Sequence, residues 1–119
     1  MVQSALETLE GEALDVFVVW IPAIAGDRYE ATDDAKTLIP DGRATHYWDG
    51  GQALGEVLSP TLGIRAKMAW DVYVLYGKDA VWDGGPPAPT SWMHQKFGED
   101  PALELNEEQL VEKIRDALK

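Results

Sequence analysis

The sequence contains no cysteine, and this absence excludes a whole group of chemistries. Without a thiol, the chain cannot form a disulfide, a zinc–thiolate centre or an iron–sulfur cluster, and it cannot use thiol-based catalysis. Long apolar runs are also missing, because no stretch approaches the roughly 18 apolar residues of a membrane-spanning helix. Residues 1–11 lack the basic start and apolar centre of a secretory signal. We therefore expect a cytoplasmic protein that does not act at a membrane.

Basic side chains are scarce. Lysine and arginine number 10 against 21 aspartates and glutamates, which gives a formal net charge of −11. This excess argues against a nucleic acid as partner, because the phosphate backbone is itself anionic. The acidic residues are spread along the chain and form no long block, a distribution typical of a solubilising surface. A length of 119 residues with 45% hydrophobic side chains predicts one globular domain, residues 1–119.

The first half of the chain alternates helix and strand patterns. Residues 2–9 have apolar side chains at helical spacing, and Gly11 is placed to end that helix. The nearly continuous apolar run at residues 13–21 predicts a strand covered on both faces, as in parallel sheets. Residues 26–39 predict a helix, and residues 44–48 predict a short strand.

The second half begins with a predicted helix at residues 51–62, which Pro60 and Gly63 are expected to end. Its expected buried face consists of Ala53, Leu54, Val57 and Leu58. Residues 69–76 predict a second strong strand. A tight turn at residues 77–79 should lead to a short antiparallel partner at residues 80–82.

The last part of the chain contains one irregular segment and one clear helix. Three prolines exclude regular structure from residues 83–89, and residues 90–105 show no decisive pattern. Residues 106–119 predict a terminal helix with Asn106 as its N-cap. The expected buried stripe of this helix is Leu110, Val111, Ile114, Ala117 and Leu118. The resulting order α-β-α-β-α-β-β-α favours an α/β sheet whose first strands are parallel.

Three segments invite comparison with a known family. DVFVVWIP at residues 15–22 is a hydrophobic strand, THYWDGGQALGEVLSPTLGI at 45–64 combines a strand, a turn and a small helix, and AWDVYVLYGKDAVW at 69–82 has the pattern of a closing hairpin. In this order they resemble the thioredoxin-like superfamily, in its thiol–disulfide oxidoreductase and peroxiredoxin branches. The resemblance implies an α/β fold with a mixed sheet of about four strands, a βαβαββα core flanked by helices.

The chain departs from that family at the residues that carry its chemistry. The family uses a Cys-x-x-Cys pair or a peroxidatic cysteine, and no residue here can take that role. The family also places a cis-proline before the strand that begins near Ala69, whereas residues 67–70 contain no proline. The resemblance therefore implies a domain without redox activity.

Two alignments with the family are open. In one, residues 15–20 are the first strand of a complete fold, and the loop at residues 21–26 occupies the position of the redox loop. In the other, which we favour slightly, residues 2–9 are the end of the active-site helix and the central strand is missing. A sheet without its central strand exposes unpaired edges, so this alignment predicts a homodimer.

Tryptophan is abundant, with five residues in 119. Several lie where strands begin or end, or in the loop after the prolines, and ligands bind at such places in α/β sheets. The simplest interpretation is that these rings fill the core and cover the proline-rich loop. The functional interpretation is a pocket for a small apolar or aromatic ligand. The candidate ligand-binding residues are Trp48, Trp70, Trp92, His46, His94 and Asp49.

Catalytic and metal-binding patterns are weak. The two histidines are far apart in the sequence, so a two-histidine–carboxylate metal site has no support from spacing. Ser59 and Ser91 lack the G-x-S-x-G frame of an activated serine. We therefore expect a non-catalytic binding module, self-associating as a dimer, with no cofactor and no metal. The alternative is a small enzyme or metal-binding protein that uses His46 and His94 with nearby carboxylates.

Overall fold

The computed structural model describes residues 2–20, 38–65, 69, 71–95 and 99–119. These residues form a mixed α/β structure with three α-helices, one short 3-10 helix and two sheets of two strands each. The predicted α/β class is thus confirmed. The chain divides into two compact units, Met1–Ala53 (unit 1) and Leu54–Lys119 (unit 2). Their membership of one domain and of one four-stranded sheet stays a prediction.

Unit 1 contains helix α1 (Val2–Thr8) and strands β1 (Val16–Trp20) and β2 (Ala44–Trp48). The two strands are parallel and in register, with Val16 opposite Ala44 and Trp20 opposite Trp48. These three elements confirm the sequence predictions. Gly11 adopts a φ of +85° just after α1, a left-handed conformation that glycine reaches without a steric penalty. Of the helix predicted at residues 26–39, residues 26–37 lie outside the described residues.

The two faces of the β1–β2 sheet differ in exposure. Successive strand residues point to opposite faces. On the inner face lie the half-buried Trp20 and His46, while on the outer face Phe17 is 66% exposed and Tyr47 is 50% exposed. Among the residues that the structure describes, the expectation that this strand is covered on both faces is therefore not met. A continuous apolar run does not distinguish a doubly covered strand from one with an open aromatic face.

Arg43 attaches α1 to the start of β2. Its guanidinium donates to the backbone carbonyls of Leu6 at 2.7 Å, Leu9 at 2.9 Å and Glu12 at 3.1 Å. These carbonyls belong to the C-terminal part of α1 and the turn after it, where a cation is favoured by the helix dipole. A helix this short is unstable alone, so the arginine and the burial of its apolar side chains maintain it. The buried side chains are Ala5 and Leu6 in α1 and Leu9 directly after it.

Unit 2 contains two longer helices and an antiparallel pair of strands. Its elements are helix α2 (Ala53–Leu62, whose first residue belongs to unit 1), strands β3 (Val72–Leu75) and β4 (Ser91–His94), the 3-10 helix (Pro101–Leu103) and helix α3 (Glu107–Leu118). Val72 pairs with His94 and Leu75 with Ser91. The core cluster of this unit is Leu58, Leu62, Ile64 and Ala69.

The predicted hairpin partner of β3 is wrong. Residues 80–82 form no strand, and Val81 and Trp82 are 71% and 53% exposed. β4 pairs with β3 instead, and the Tyr76 hydroxyl fixes the connection by donating to the carbonyl of Pro87 at 2.9 Å. Met93 in β4 is 3% exposed, so this strand contributes a buried apolar side chain, whereas Val81 and Trp82 remain exposed. Ser91 lies in this strand.

The position of helix α2 agrees with the prediction, but its buried face differs from the predicted one. Its buried residues are Gly55, Leu58, Ser59 and Leu62, while Ala53 and Val57 are exposed. Pro60 does not end the helix; it lies inside it, and the helix continues to Leu62. The expected stop at Gly63 is confirmed by its φ of +71°.

Helix α3 begins as predicted. Asn106 is its N-cap, and the side-chain oxygen accepts a hydrogen bond from the backbone N–H of Gln109 at 3.0 Å. The predicted stripe is buried only in part, because Val111 is buried while Ala117 and Leu118 are exposed. None of the described helices combines the length and apolarity needed to cross a membrane.

Candidate functional site

An open groove of about 380 Å³ lies in unit 2, between β4, the 3-10 helix and α3. Its floor is mostly apolar and comes from β4 and the 3-10 helix, whereas its wall is polar and comes from α3. The lining residues are Trp92, Met93, Ala102 and Leu103 on the floor, and Gln109, Glu112, Lys113 and Asp116 on the wall.

Helical spacing explains the polar wall. Residues 109, 112, 113 and 116 follow the i, i+3, i+4, i+7 pattern, which places them on one face of α3. Both signs of charge are present, because Lys113 lies between Glu112 and Asp116 along this face. The wall can therefore both donate and accept hydrogen bonds.

Trp92 links the groove to the core of unit 2. It is half-buried, pairs with Val74 across the sheet and packs against the core cluster. Its ring lies 5.8 Å from the imidazole of His94 at an angle of 46°. The indole is thereby held on a rigid strand, which suits a side chain that contacts a ligand.

His94 holds the floor of the groove together. It is buried, and its Nε2 lies 2.7 Å from the carbonyl oxygen of Asp100, so Nε2 is the donor. Its own carbonyl accepts from the N–H of Leu105 at 2.7 Å. The Asp100 carboxylate in turn accepts from the N–H of Ala102 at 2.9 Å and caps the 3-10 helix. These bonds give His94 a structural role at the predicted site.

His46 in unit 1 is also engaged by protein groups. Its Nδ1 accepts from the indole N–H of Trp20 at 2.9 Å, and its Nε2 lies 3.1 Å from the carbonyl oxygen of Ile39. This arrangement requires the neutral ring with its proton on Nε2. The imidazole and the indole are nearly parallel, with an angle of 3° between the ring planes. Both ring nitrogens are thus occupied, which leaves none for a metal.

Asp49 and Trp48 lie at the end of β2. The Asp49 carboxylate accepts from the N–H of Ala53 at 3.2 Å, at the start of α2, and its own N–H donates to the carbonyl of Trp20 at 2.8 Å. These contacts make Asp49 a turn and helix-start residue. Trp48 lies close to Gly50, where an added Cβ would come within 2.9 Å of the indole nitrogen.

The six predicted ligand-binding residues are divided between the two units. His46, Trp48 and Asp49 belong to unit 1, Trp92 and His94 belong to unit 2, and Trp70 lies outside the described residues. Of the five that are described, only Trp92 lines the groove. A single pocket that combines all six stays a prediction.

Sequence reasoning missed the wall of the groove. The polar residues of α3 have the pattern of a solvated helix face. The signal that could have identified them is the stripe of polar and charged side chains at residues 109, 112, 113 and 116, on the side of α3 away from the buried Val111.

The pKa shifts of two described tyrosines do not favour a catalytic role for them. Burial raises the pKa of Tyr73, with an addition from the charge of Asp71, and burial raises the pKa of Tyr76. Both shifts keep the phenols protonated, opposite to what a general base needs. In the described ranges, no group of three histidine, aspartate or glutamate side chains is placed to hold a metal ion.

Comparison of the chain with protein-family models, with curated proteins and with solved structures gave no match.

Proposed function

We propose that this chain is a non-catalytic binding module that takes a small aromatic ligand in the groove beside Trp92. The observation that carries the proposal is the half-buried indole of Trp92 at the edge of a groove of about 380 Å³. Pockets for small molecules begin at about 300 Å³ and combine an apolar lining with a few polar groups. The groove has this size, and half of its lining residues are apolar.

The lining specifies the chemistry of the ligand. Trp92 offers a half-buried ring for stacking, and the buried Met93 adds apolar surface to the floor. The wall offers the carboxylates of Glu112 and Asp116 beside the ammonium of Lys113. A ligand with one or two fused rings and a polar end group would match both surfaces.

The contacts of the polar candidate residues support a binding role over a catalytic one. His46, His94 and Asp49 each use their side chains to hold backbone or side-chain groups in place. The chain also has no cysteine. The alternative, an enzyme or metal-binding protein that uses His46 and His94, finds no support in these contacts.

The thioredoxin-like fold of about four strands is part of the proposal. A parallel pair, β1 and β2, comes first in the chain, and an antiparallel pair, β3 and β4, follows before the terminal helix α3. This order and these strand directions support it. We include self-association as a dimer in the same proposal.

A neutral aromatic fluorophore, N-phenyl-1-naphthylamine, tests the groove. Its emission should rise and saturate as the protein is titrated, because the apolar floor removes it from water. Trp92→Ala should weaken this binding by about tenfold or more. The matched control is Trp82→Ala, which removes an exposed indole from a loop and should leave the titration unchanged.

A second variant separates loss of binding from loss of folding. Ala102 is exposed on the floor of the groove, so Ala102→Trp fills the groove without touching the core cluster. We expect it to block the fluorophore while the circular dichroism spectrum and the melting temperature stay near those of the parent. Equal titrations for the parent, Trp92→Ala and Ala102→Trp would show that the groove is not the binding site.

A further inference from the structure

We propose that the link between Asp83 and Gly84 is a site of spontaneous backbone modification, at which the aspartate converts to isoaspartate. This link lies in the connection between β3 and β4, where both residues are exposed. Neither residue lines the groove beside Trp92, so the modification is separate from the proposed binding of a ligand.

Isoaspartate forms by ring closure and ring opening, and water is the only other reactant. The backbone nitrogen of Gly84 attacks the side-chain carbonyl carbon of Asp83 while that carboxyl group is protonated. A C–N bond forms, the C–OH bond breaks, and the hydroxyl leaves with the amide proton as water, which gives a succinimide. Water then adds to one ring carbonyl. Addition at the main-chain carbonyl yields isoaspartate, whose backbone runs through Cβ and whose carboxylate is attached to Cα, so the net charge is unchanged.

The sequence offers three Asp-Gly pairs, at residues 41–42, 49–50 and 83–84. Glycine in the second position favours ring closure, because no Cβ shields the attacking nitrogen and the backbone rotates freely. The reaction also needs a carboxyl group that is free to turn towards that nitrogen. The hydrogen bonds of the three aspartates therefore decide which pair reacts.

The carboxylate of Asp41 is held by Arg43. The backbone N–H and Nε of Arg43 each donate to one carboxylate oxygen at 2.9 Å, and Nη2 donates to the other oxygen at 2.8 Å. These hydrogen bonds lower the pKa of Asp41 to about 2, so the protonated carboxyl that ring closure needs is scarce at neutral pH. Asp41 is thus protected both by its geometry and by its ionisation.

Asp49 is held at its side chain and at its backbone. Its carboxylate accepts from the N–H of Ala53 at 3.2 Å, and its own N–H donates to the carbonyl of Trp20 at 2.8 Å. Its carbonyl accepts from the N–H of Gln52 at 3.2 Å. Ring closure at this pair requires these bonds to break first.

Asp83 differs from both. Its side chain is exposed, and among the described residues its carboxylate forms no hydrogen bond or ion pair. Gly84 has a φ of +73°, and an added Cβ there would meet nothing within 4 Å. Exposed loop tips of this kind are the parts of a fold where the backbone changes conformation most readily. The carboxyl and the nitrogen that must meet are therefore both unhindered at this pair.

Hydrogen bonds at the base of the connection limit how far the change extends. The Tyr76 hydroxyl donates to the carbonyl of Pro87 at 2.9 Å, and the N–H of Thr90 donates to the carbonyl of Leu75 at 2.9 Å. The extra backbone carbon of isoaspartate lies beyond these bonds, in the tip. We therefore expect the modified protein to keep the circular dichroism spectrum and the melting temperature of the fresh protein.

Prolonged incubation of the full chain at neutral pH and body temperature, followed by tryptic peptide mapping, tests the inference. Trypsin places the three pairs on separate peptides, residues 37–43, 44–65 and 79–96. A succinimide peptide is lighter than its parent by one water. An isoaspartate peptide has the parent mass, separates from it by chromatography and accepts a methyl group from an isoaspartyl carboxyl methyltransferase. We expect isoaspartate to accumulate in peptide 79–96 about tenfold faster or more than in the other two, because hydrogen bonds to a carboxylate must break there first.

The matched variant is Asp83→Glu, which keeps the charge but would have to close a larger ring, a much slower reaction. Its peptide 79–96 should stay unmodified; isoaspartate that persists there would assign the signal to Asp79 and overturn the inference.

The same incubation in guanidinium chloride shows whether the folded structure selects the site. Unfolding removes the hydrogen bonds of Asp41 and Asp49, so the three pairs should then react at similar rates. A folded chain in which Asp83 reacts no faster than the other two would overturn the inference. A preference for Asp83 that is equally large in the denaturant would overturn it as well, since the protection of the other two pairs would not come from the fold.

Discussion

Asp41 and Arg43 form a two-pronged ion pair in which the carboxylate oxygens accept from Nε at 2.9 Å and from Nη2 at 2.8 Å. The remaining N–H groups of the guanidinium bind the carbonyls after and within α1, so all five donors are used. The Asp41 and Arg43 side chains are only 14% and 21% exposed. Asp41 thus orients the side chain that attaches α1 to β2.

The first prediction concerns acid stability. Hydrogen bonds from Arg43 lower the pKa of Asp41 from 3.8 to about 2. Because the folded state binds this proton less readily, Asp41 stabilises the fold fully above pH 3.8. This stabilisation is lost as the pH falls through about 2. We expect Asp41→Asn to have a lower melting temperature than the parent at neutral pH, with the difference shrinking as the pH falls through this window.

The control for this prediction is Asp79→Asn, because Asp79 is an exposed carboxylate in a loop. Its melting temperature should follow that of the parent at every pH. A difference in melting temperature between Asp41→Asn and the parent that is constant from pH 5 to pH 2 would contradict the prediction. It would mean that the stabilisation does not depend on ionisation of Asp41, whose pKa is about 2.

The second prediction concerns the hydrogen bond between Trp20 and His46. Replacing His46 by Phe leaves the Trp20 indole N–H and the Ile39 carbonyl without this partner. An unsatisfied buried group costs about 1–3 kcal/mol, and these groups are half-buried, so we expect a loss of about 1 kcal/mol or more. Urea unfolding measures the loss, and the indole N–H resonance of Trp20 should shift.

Thr45→Ala is its neighbouring control, because Thr45 lies on the outer face of the same strand. It should change the free energy of unfolding by less than about 0.5 kcal/mol. Equal losses in the two variants would show that the Trp20–His46 bond contributes nothing of its own.

The third prediction compares two adjacent glycines. A Cβ at Gly50 would lie 2.9 Å from Nε1 of Trp48, whereas a Cβ at Gly51 would meet nothing within 4 Å. Gly50→Ala must therefore displace the Trp48 indole, and we expect a loss of about 1–3 kcal/mol. Gly51→Ala should be neutral. Chemical denaturation followed by tryptophan fluorescence measures both, and similar stabilities would contradict the close approach.

The fourth prediction concerns alkaline pH. Burial and the charge of Asp71 raise the pKa of Tyr73 above its ordinary value of 10.0. Stability from the neutral phenol is therefore complete below pH 10.0 and is lost as the pH rises further. In a phenolate absorbance titration, Tyr73→Phe should remove one late-ionising tyrosine. If the variant instead loses an early-ionising one, Tyr73 is not shielded as described.

Strong local patterns allowed β1, β2 and α3 to be predicted from the sequence. The dense β-branched residues of β1 and the capping residue Asn106 carry their signals within a few neighbouring positions. β4 has no such signal, because its four residues of mixed polarity do not show the alternation of apolar and polar side chains that marks a strand. The turn residues at Gly77 suggested a hairpin with residues 80–82, which is the wrong partner for β3. The burial of Met93 in the correct partner, β4, depends on the folded chain and has no local signal.

Only part of the candidate site could be predicted from the sequence, because local patterns do not show which distant residues meet. Trp92 was identifiable because aromatic residues near strands often contact ligands, and it does line the groove. The hydrogen bonds that engage His46 and His94 join residues that the sequence could not pair, such as Trp20 with His46. Arg43 carried no pattern at all, because its role depends on three carbonyls brought together by folding.

The connection between β3 and β4 shows where new sequence can be added to this chain. Thr90 N–H donates to the carbonyl of Leu75 at 2.9 Å, and Tyr76 binds Pro87, so the base of the connection is closed below its exposed tip. Gly84 lies at this tip with a φ of +73° and open space around it. Exposed tips of this kind accept inserted peptides and new chain ends. A reporter segment or a circular-permutation break next to Gly84 would therefore leave the β3–β4 ladder and the groove intact.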